Sequence, residues 1–199
     1  MKSAQRFVLD TSAFTGISKS KQDIDKHISE MIRLISKAKK ANITCYTSPS
    51  VWQEIINLFG CKNVSDKQVC MLDAWLVKRS PSRMEILMPS EFLYQYILEV
   101  RDRFNKGLRE AEKAVLAVGG NRPDPEVVKD LREHYKTAVR QGLLDSVEDL
   151  DIILLAKELE ACVVAKDAGI KDWAGKWGLS YIDGERFPTV LKEYLGKGK

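Results

Sequence analysis

The sequence predicts an α/β fold in which a parallel sheet is flanked by helices and interrupted by a long helical hairpin. Three observations support this prediction. Short apolar segments alternate with amphipathic helical segments at both ends of the chain, a pattern typical of parallel sheets covered on both faces. Residues 90–141 instead show only helical periodicity with one glycine-rich break. The chain has 199 residues, of which 44% are hydrophobic, and this is enough to bury a substantial core.

The strands are predicted from short apolar runs, and the helices from apolar residues three and four positions apart. The first run ends on Asp10 and is typical of a buried parallel strand. Pro49 follows the second run and is typical of a helix start. In chain order, the predicted elements outside the hairpin are strand 6–10, helix 23–40, strand 43–47, a helix that begins at Ser48-Pro49-Ser50, helix 66–79, strand 84–88, helix 146–160, strand 161–165, helix 170–177 and strand 180–183.

The middle of the chain is predicted to form two long helices joined by a tight loop, which is a helical hairpin. The first helix covers residues 90–118 and stops at the Gly-Gly-Asn-Arg-Pro segment 119–123. Asp124 and Pro125 are a typical cap and first residue of a second helix, which runs to about Arg140. The predicted organisation is a discontinuous α/β domain of residues 1–89 and 142–199, with the hairpin, residues 90–141, inserted.

Composition argues against several classes of protein. No segment approaches the roughly 18 apolar residues of a membrane span. The amino terminus lacks a signal-peptide pattern, so a cytoplasmic protein without membrane contact is expected. The chain has two histidines, far apart, and no Cys-x-x-Cys pair, which argues against a structural zinc site. The net charge of +4 is by itself a weak indication of nucleic-acid binding.

Four aspartates stand where chemistry is expected. Asp10 ends the first strand, and Asp167 lies just past the strand 161–165. In open α/β sheets the ligand crevice lies outside the carboxyl ends of the strands, so these two acids can converge there. Asp145 and Asp149 are four residues apart at a helix start, which places them on one face with Cβ atoms about 6 Å apart. If that helix start borders the same crevice, four carboxylates share one site.

A cluster of carboxylates is costly unless a cation offsets the repulsion. Oxygen ligands without Cys or His suit Mg²⁺ or Mn²⁺ rather than Zn²⁺, and such ions activate water for phosphodiester hydrolysis. Glu54, in the helix after the second strand, is either a further metal ligand or an acid on a solvated face. Thr11 or Ser12 is placed to orient Asp10 or a metal-bound water. The pattern therefore indicates a metal-dependent nuclease site.

Each acid also has a purely structural interpretation. Asp10 and Asp167 could each belong to a turn after a strand, and Asp145 could be a helix cap. Ser146 and Asp149 fit a Ser-x-x-Asp capping box. Only the joint placement of the acids favours a site. Two further acids are interpreted as surface or supporting residues: Asp151 and Asp172.

Four segments carry a resemblance to known nucleases. They are F-V-L-D-T-S-A-F-T at 7–15, S-P-S-V-W-Q-E-I at 48–55, D-S-V-E-D-L-D-I-I-L-L-A-K-E-L-E at 145–160 and V-A-K-D-A-G-I-K-D-W-A at 164–174. The ordered set resembles the PIN-domain nucleases. More narrowly, it is similar to the minimal RNA-free protein ribonuclease P family, also described as an RNA-ligase-partner family.

The resemblance implies a PIN-like domain that removes the 5′ leader from precursor tRNA with Mg²⁺ or Mn²⁺. It implies an active site of Asp10, Asp145, Asp149 and Asp167, and Glu54 matches the family in position. It also implies that the hairpin protrudes, dimerises with another subunit and helps to grip the tRNA within a large homo-oligomer. The alternatives are a toxin-type or other PIN ribonuclease with a different RNA substrate, and a non-catalytic RNA-binding or RNA-repair partner module.

Basic residues on both hairpin helices form stripes that could contact RNA phosphates. At about 100° per residue, those of the first helix fall within about 60° of one another and those of the second within about 80°. Residues 90–141 contain ten bases and nine acids, so the alternative is a solvated face held by ion pairs along each helix. An apolar stripe from Leu93 to Val115 favours contact with a second subunit. The candidate RNA contacts are Lys106, Arg109, Lys113, Lys129, Arg132, Lys136 and Arg140.

Overall fold

A computed structural model describes residues 5–15, 21–60, 64–117, 124–140 and 146–196. Across these residues five strands form one sheet, and every neighbouring pair is parallel, which confirms the predicted α/β class. The strands are β1 (Gln5–Leu9), β2 (Ile43–Thr47), β3 (Leu76–Lys78), β4 (Cys162–Ala165) and β5 (Tyr181–Asp183). Their order across the sheet is β3-β2-β1-β4-β5.

Helices account for most of the remaining described residues. The α-helices are α1 (Lys21–Ala38), α2 (Pro49–Gly60), α3 (Asp66–Trp75), α4 (Ser90–Ala117), α5 (Asp124–Arg140), α6 (Val147–Leu159), α7 (Ala168–Lys176) and α8 (Phe187–Gly196). Short 3-10 helices cover Thr11–Phe14 and Lys39–Ala41. Local sequence explains several boundaries. Ser65 caps α3 in a reciprocal capping box with Gln68, and Glu160 ends α6 in the left-handed conformation, at a φ of 50°.

The central strands are buried on both faces. Phe7, Val8 and Leu9 of β1 are fully buried, and β4 is buried along its whole length. Consecutive strand residues point to opposite faces, so the burial of consecutive residues requires cover on both sides of the sheet. Helices provide this cover: α1 packs with α3 and α8, and α6 packs with α7 and β1.

Two elements differ from the sequence-based prediction. The third strand was predicted at 84–88, but β3 lies at Leu76–Lys78, within the segment assigned to helix 66–79. Met84 and Leu87 are 98% and 90% exposed, so their apolar character does not reflect a place in the sheet. β3 has only three residues, too few to show the alternation from which a strand is recognised. The helix α8, whose Phe187 and Leu191 are fully buried, was not predicted.

The chain divides into two compact units, Met1–Ile86 with Ser146–Lys199, and Leu87–Asp145. The first contains the sheet, and the second contains α4 and α5. In the second unit α4 packs along α5, and a Cβ added at Gly107 would lie 2.5 Å from the Tyr135 ring, so glycine permits a close approach there. The predicted loop 119–123 lies outside the described residues. Within the described ranges, no helix is long and apolar enough to span a membrane.

Candidate active site

The sheet has a point at which the chain reverses its course across it. From β1 the chain proceeds to β2 and β3, and it later returns to the other side of β1 to form β4 and β5. The carboxyl ends of β1 and β4 therefore flank a topological switch point, which is where open α/β sheets bind their ligands. Asp10 directly follows β1, and Asp167 lies just past the end of β4. The structure thus places both predicted acids at the same edge of the sheet.

Asp10 is tightly held at this edge. Its backbone N–H donates to the Val164 carbonyl at 3.0 Å, which extends the pairing of β1 with β4. Its Oδ2 accepts from the backbone N–H of Ser12 at 2.9 Å and also from the Ser12 hydroxyl. Asp10 is only 7% exposed. Burial raises the pKa of Asp10, the Ser12 hydrogen bonds oppose that rise, and the charge of Asp167 adds to it.

Ser12 connects the ends of the two strands. Its hydroxyl, which donates to Asp10, also accepts from the backbone N–H of Lys166 at 2.7 Å. One side chain therefore bonds both the acid that follows β1 and the backbone that follows β4. Of the two residues predicted to orient Asp10, Ser12 is the one whose side chain contacts the carboxylate.

Asp167 makes a structural hydrogen bond, and its charge also acts on Asp10. It caps α7, since its Oδ1 accepts from the backbone N–H of Ile170 at 3.0 Å. The structural interpretation from the sequence was a turn after the strand, whereas in the structure Asp167 is a helix cap. Asp167 is also exposed, and its charge raises the pKa of Asp10, so the two carboxylates are close enough to repel one another.

Asp183 is a third acid of this edge that was not among the residues predicted from the sequence. Tyr181 donates its hydroxyl to the Ala165 carbonyl at 2.6 Å. The pKa of Tyr181 rises to about 12 because of burial first, and then because of the charges of Asp183, Asp167 and Asp10. All three acids therefore lie near one phenol. The predicted strand 180–183 ended on Asp183, so the carboxyl-end rule that selected Asp10 applied to it equally.

Glu54 lies on the β2 side of Asp10, whereas Asp167 lies on the β4 side. Its Oε2 accepts from the Thr11 hydroxyl at 2.8 Å, so its carboxylate is next to the residue that follows Asp10. It belongs to α2, whose start follows the carboxyl end of β2. Glu54 is exposed. It is therefore both an acid on a solvated face and a neighbour of the site.

The last two predicted acids belong to the start of α6. The backbone N–H of Asp149 donates to Oγ of Ser146 at 3.1 Å, so Ser146 caps the helix as the structural interpretation expected. α6 packs on β1 and β4 and leads into the amino end of β4, so its own amino end lies toward the carboxyl edge of the sheet. Asp149 is half-buried there. Asp145 lies outside the described residues.

Comparison with known proteins identifies the family. A family model described as PINc domain ribonuclease matches residues 6–196. The chain belongs to this PIN-domain ribonuclease family. Across 96% of its length, it is 39% identical to a Haloarcula marismortui protein named RNA-free ribonuclease P, with 92% of that protein covered. It is 41% identical to a Methanococcus vannielii protein of the same name, and 96% of each chain is covered. An Archaeoglobus fulgidus protein, also of that name, is 38% identical over 96% of this chain and 92% of its own. The resemblance stated from the sequence is confirmed, and the protein is an endoribonuclease.

PIN ribonucleases generally use divalent metal ions. Among the described residues, no three His, Cys, Asp or Glu side chains are gathered into a ready ion-binding group. Asp10 and Asp167 still fit such an ion, because both offer hard oxygen donors. A cation beside them would also offset the burial and the repulsion that raise the pKa of Asp10. The further predicted ligands of this PIN ribonuclease are Asp145 and Asp149.

The two acids set aside in the sequence analysis differ in the structure. Asp151 is 5% exposed, so it is not a surface residue. Arg83 binds it with two hydrogen bonds, from Nε at 3.0 Å and from Nη2 at 2.6 Å, which satisfies the buried charge. Asp151 therefore supports the position of α6. Asp172 is a surface residue of α7 that pairs with Lys176 at 3.5 Å.

The basic residues of the hairpin fall into two groups. Lys106 pairs with Asp102 at 2.8 Å and Lys113 pairs with Glu110 at 2.5 Å, as the ion-pair alternative expects. The side chain of Arg140 lies outside the described residues. The other four predicted RNA contacts are exposed: Arg109, Lys129, Arg132 and Lys136.

Proposed function

We propose that this PIN ribonuclease removes the 5′ leader from precursor tRNA in the cytoplasm by divalent-metal-dependent hydrolysis. The observation that carries the proposal is the pair of carboxylates, Asp10 and Asp167, at the switch point of the sheet. The chain that holds them is similar over nearly its full length to proteins named RNA-free ribonuclease P. The acids indicate the chemistry, and the relatives indicate the substrate.

In this proposal the nuclease domain, residues 1–89 and 142–199, binds the metal. Bound Mg²⁺ or Mn²⁺ supplies water of lowered pKa and neutralises charge on the scissile phosphate. The protein contributes a partly dry site, since Asp10 is almost wholly buried and attraction between a carboxylate and a cation is stronger where water is excluded. Ser12 keeps that carboxylate oriented. The proposed ligands are Asp10, Asp145, Asp149, Asp167 and Glu54.

The bond that breaks determines the products. Water attacks the phosphorus, a P–O bond forms to the water oxygen, and the bond from phosphorus to the 3′ oxygen of the leader breaks. The tRNA then keeps a 5′ phosphate, and the leader ends in a 3′ hydroxyl. Attack by the 2′ hydroxyl of the RNA itself would leave a 2′,3′-cyclic phosphate instead, so the product ends distinguish the two reactions.

The hairpin, residues 90–141, has two roles in this proposal: it contacts RNA and it joins subunits. Exposed bases on α4 and α5 are suited to phosphate contacts, which give affinity without reading sequence. Lys106 and Lys113 can exchange their helix partners for phosphates, because exposed ion pairs contribute little stability. The proposed RNA contacts are Lys106, Arg109, Lys113, Lys129, Arg132, Lys136 and Arg140.

Dimerisation through the hairpin is supported by exposed apolar side chains on α4. Five of them lie within about 60° around the helix and extend over about 33 Å along it. Each is between 57% and 71% exposed. Soluble monomers rarely expose so long an apolar stripe, and a second copy of the same stripe would cover it. Dimers of this kind would be the building blocks of a larger homo-oligomer. The residues are Leu93, Ile97, Phe104, Leu108 and Val115.

The test is incubation of the protein with a precursor tRNA that carries a 5′ leader, in Mg²⁺ or Mn²⁺, followed by mapping of the cut. The comparison is between wild type, Asp10→Asn/Asp167→Asn, and Asp172→Asn, a surface aspartate of α7 that serves as the matched control. We expect one cut at the mature 5′ end that is lost in EDTA and in the double variant and is kept in Asp172→Asn. Scattered cuts that need the same acids would point to a toxin-type or other PIN ribonuclease. Binding without any cut would point to a non-catalytic module.

A further inference from the structure

Trp52 and Lys78 form a cation–π pair that the proposed active site does not use. The Lys78 ammonium lies 4.9 Å from the centre of the Trp52 ring. Asp73 fixes this ammonium, since its carbonyl oxygen and its Oδ1 lie 2.6 Å and 2.9 Å from Nζ. Trp52 is partly exposed. The Trp52 ring therefore lies at the surface in contact with the Lys78 ammonium, whose position is fixed by Asp73.

The backbones of both residues lie at the same edge of the sheet as the acids. Trp52 belongs to the first turn of α2, directly after the carboxyl end of β2, and Lys78 is the last residue of β3. The sheet pairs Lys78 with Thr47, and the Thr47 hydroxyl donates to the Leu9 carbonyl, one residue before Asp10. Two strand spacings separate β3 from β1, which is about 10 Å. At about 3.4 Å per nucleotide, the spacing of stacked bases in a DNA duplex, about three nucleotides cover that distance, and a more extended strand covers it with fewer.

The helix α2 connects the pair to the site. Trp52 and Glu54 are about 160° apart around this helix, at about 100° per residue. Glu54 accepts from Thr11 beside Asp10, whereas Trp52 meets Lys78 on the side of β3. A strand that leaves the acids and passes the start of α2 toward β3 therefore reaches the Trp52 ring next.

We propose that Trp52 stacks against an unpaired base of the RNA strand that passes the acids. This inference rests on the proposed function, in which that unpaired strand is the 5′ leader. Protein aromatic rings stack on bases that are free of a duplex, and they do so with little sequence preference, because every base has a π face. The acceptor stem on the other side of the cut is a duplex, and its bases are stacked on one another. Trp52 thus recognises a single-stranded leader base within about three nucleotides of the cut.

Trp75 is a matched control for this contact. It is also partly exposed, and the Lys39 ammonium lies 5.9 Å from the centre of its ring. It directly precedes β3, so it lies at the amino edge of the sheet, opposite the acids. Trp75→Ala therefore removes a tryptophan at the amino edge of the sheet, away from the acids.

The experiment measures equilibrium binding of RNA in EDTA, where the proposed metal-dependent cleavage does not proceed. Wild type, Trp52→Ala, Trp52→Phe and Trp75→Ala are each titrated with three kinds of RNA: the precursor, a series of precursors that each carry one abasic nucleotide at a different leader position near the cut, and mature tRNA. We expect Trp52→Ala to bind the precursor about 5- to 150-fold more weakly, the range for one lost stacked base. Trp52→Phe should retain most of the affinity, and Trp75→Ala all of it. At one abasic position the effect of Trp52→Ala should disappear, because the contact is already absent.

Equal weakening for mature tRNA, or a Trp52→Ala effect that persists at every abasic position, would overturn the stacking proposal. Cleavage of the precursor by wild type in Mg²⁺ is measured separately. The binding measurements can therefore contradict the stacking proposal while the cleavage assay still supports the proposed function. The cleavage assay can equally contradict the proposed function while the binding measurements still show the base contact. Thermal melting checks that each variant folds. If Trp52→Ala does not fold, Trp52→Leu fills the space without offering a stacking face and replaces it.

Discussion

Replacing Ser12 with alanine removes one hydroxyl that bonds two parts of the proposed site. That hydroxyl donates to Asp10 and accepts from the Lys166 N–H at 2.7 Å. Groups that orient a metal ligand typically contribute about 10- to 100-fold in metal affinity or activity. Asp10 keeps its bond to the Ser12 backbone N–H, at 2.9 Å, so we expect a loss near the lower end of that range. The pKa of Asp10 should rise further, because one of the two Ser12 bonds that lower it is gone.

The assay is single-turnover cleavage of precursor tRNA over a series of Mg²⁺ concentrations. We expect Ser12→Ala to need roughly 10-fold more Mg²⁺ for half-maximal rate, and saturating Mg²⁺ to restore most of the rate because the ligands remain. Thr15→Ala is the matched control, since its hydroxyl donates at 2.9 Å to a backbone carbonyl, that of Ser12, rather than to an acid. An unchanged Mg²⁺ requirement in Ser12→Ala, or an equal shift in Thr15→Ala, would refute the positioning role of Ser12.

Three further predictions concern charge, assembly and RNA contact. Burial raises the folded-state pKa of Asp10 above its unfolded value, so its ionised form destabilises the metal-free protein near neutral pH, and this cost is lost as the pH falls through the folded pKa. Calorimetry without metal should show Asp10→Asn melting at or above the wild-type temperature at neutral pH, with the difference shrinking in acid; a clearly lower melting temperature would contradict this. Phe104→Glu puts a charge into the exposed apolar stripe of α4 and should lower the mass measured by light scattering, whereas an unchanged mass would argue against the hairpin interface. Arg132→Ala should reduce the slope of log affinity against log salt by about one, and a wild-type slope would mean that Arg132 contacts no phosphate.

The strands near the centre of the sheet could be predicted from sequence because burial leaves a clear pattern. The last three residues of β1 and all of β4 are buried, so each strand contains an apolar run, and an acid lies at or just past its end: Asp10 after β1 and Asp167 two residues after β4. β3 could not be predicted in the same way. It is an edge strand of three residues that follows α3 without a break, and the exposed apolar residues Met84 and Leu87 drew the prediction to the wrong place.

The candidate site shows the same division between local and long-range information. The convergence of Asp10 and Asp167 followed from one rule about strand ends, and Asp183 could have followed from it too. The bond from Ser12 to Lys166 joins residues 154 positions apart, so no local pattern indicates it. The burial of Asp151 was equally hidden, because its partner Arg83 lies 68 positions away.

The most direct test of the central claim is end-group analysis of the cleaved precursor tRNA, with wild type and Asp10→Asn/Asp167→Asn in Mg²⁺ and in EDTA. Metal-assisted hydrolysis at the switch point predicts a 3′ hydroxyl on the leader and a 5′ phosphate on the tRNA. These ends should form only when the divalent ion and both aspartates are present. A 2′,3′-cyclic phosphate on the leader, or cleavage that persists in EDTA or in the double variant, would contradict the claim.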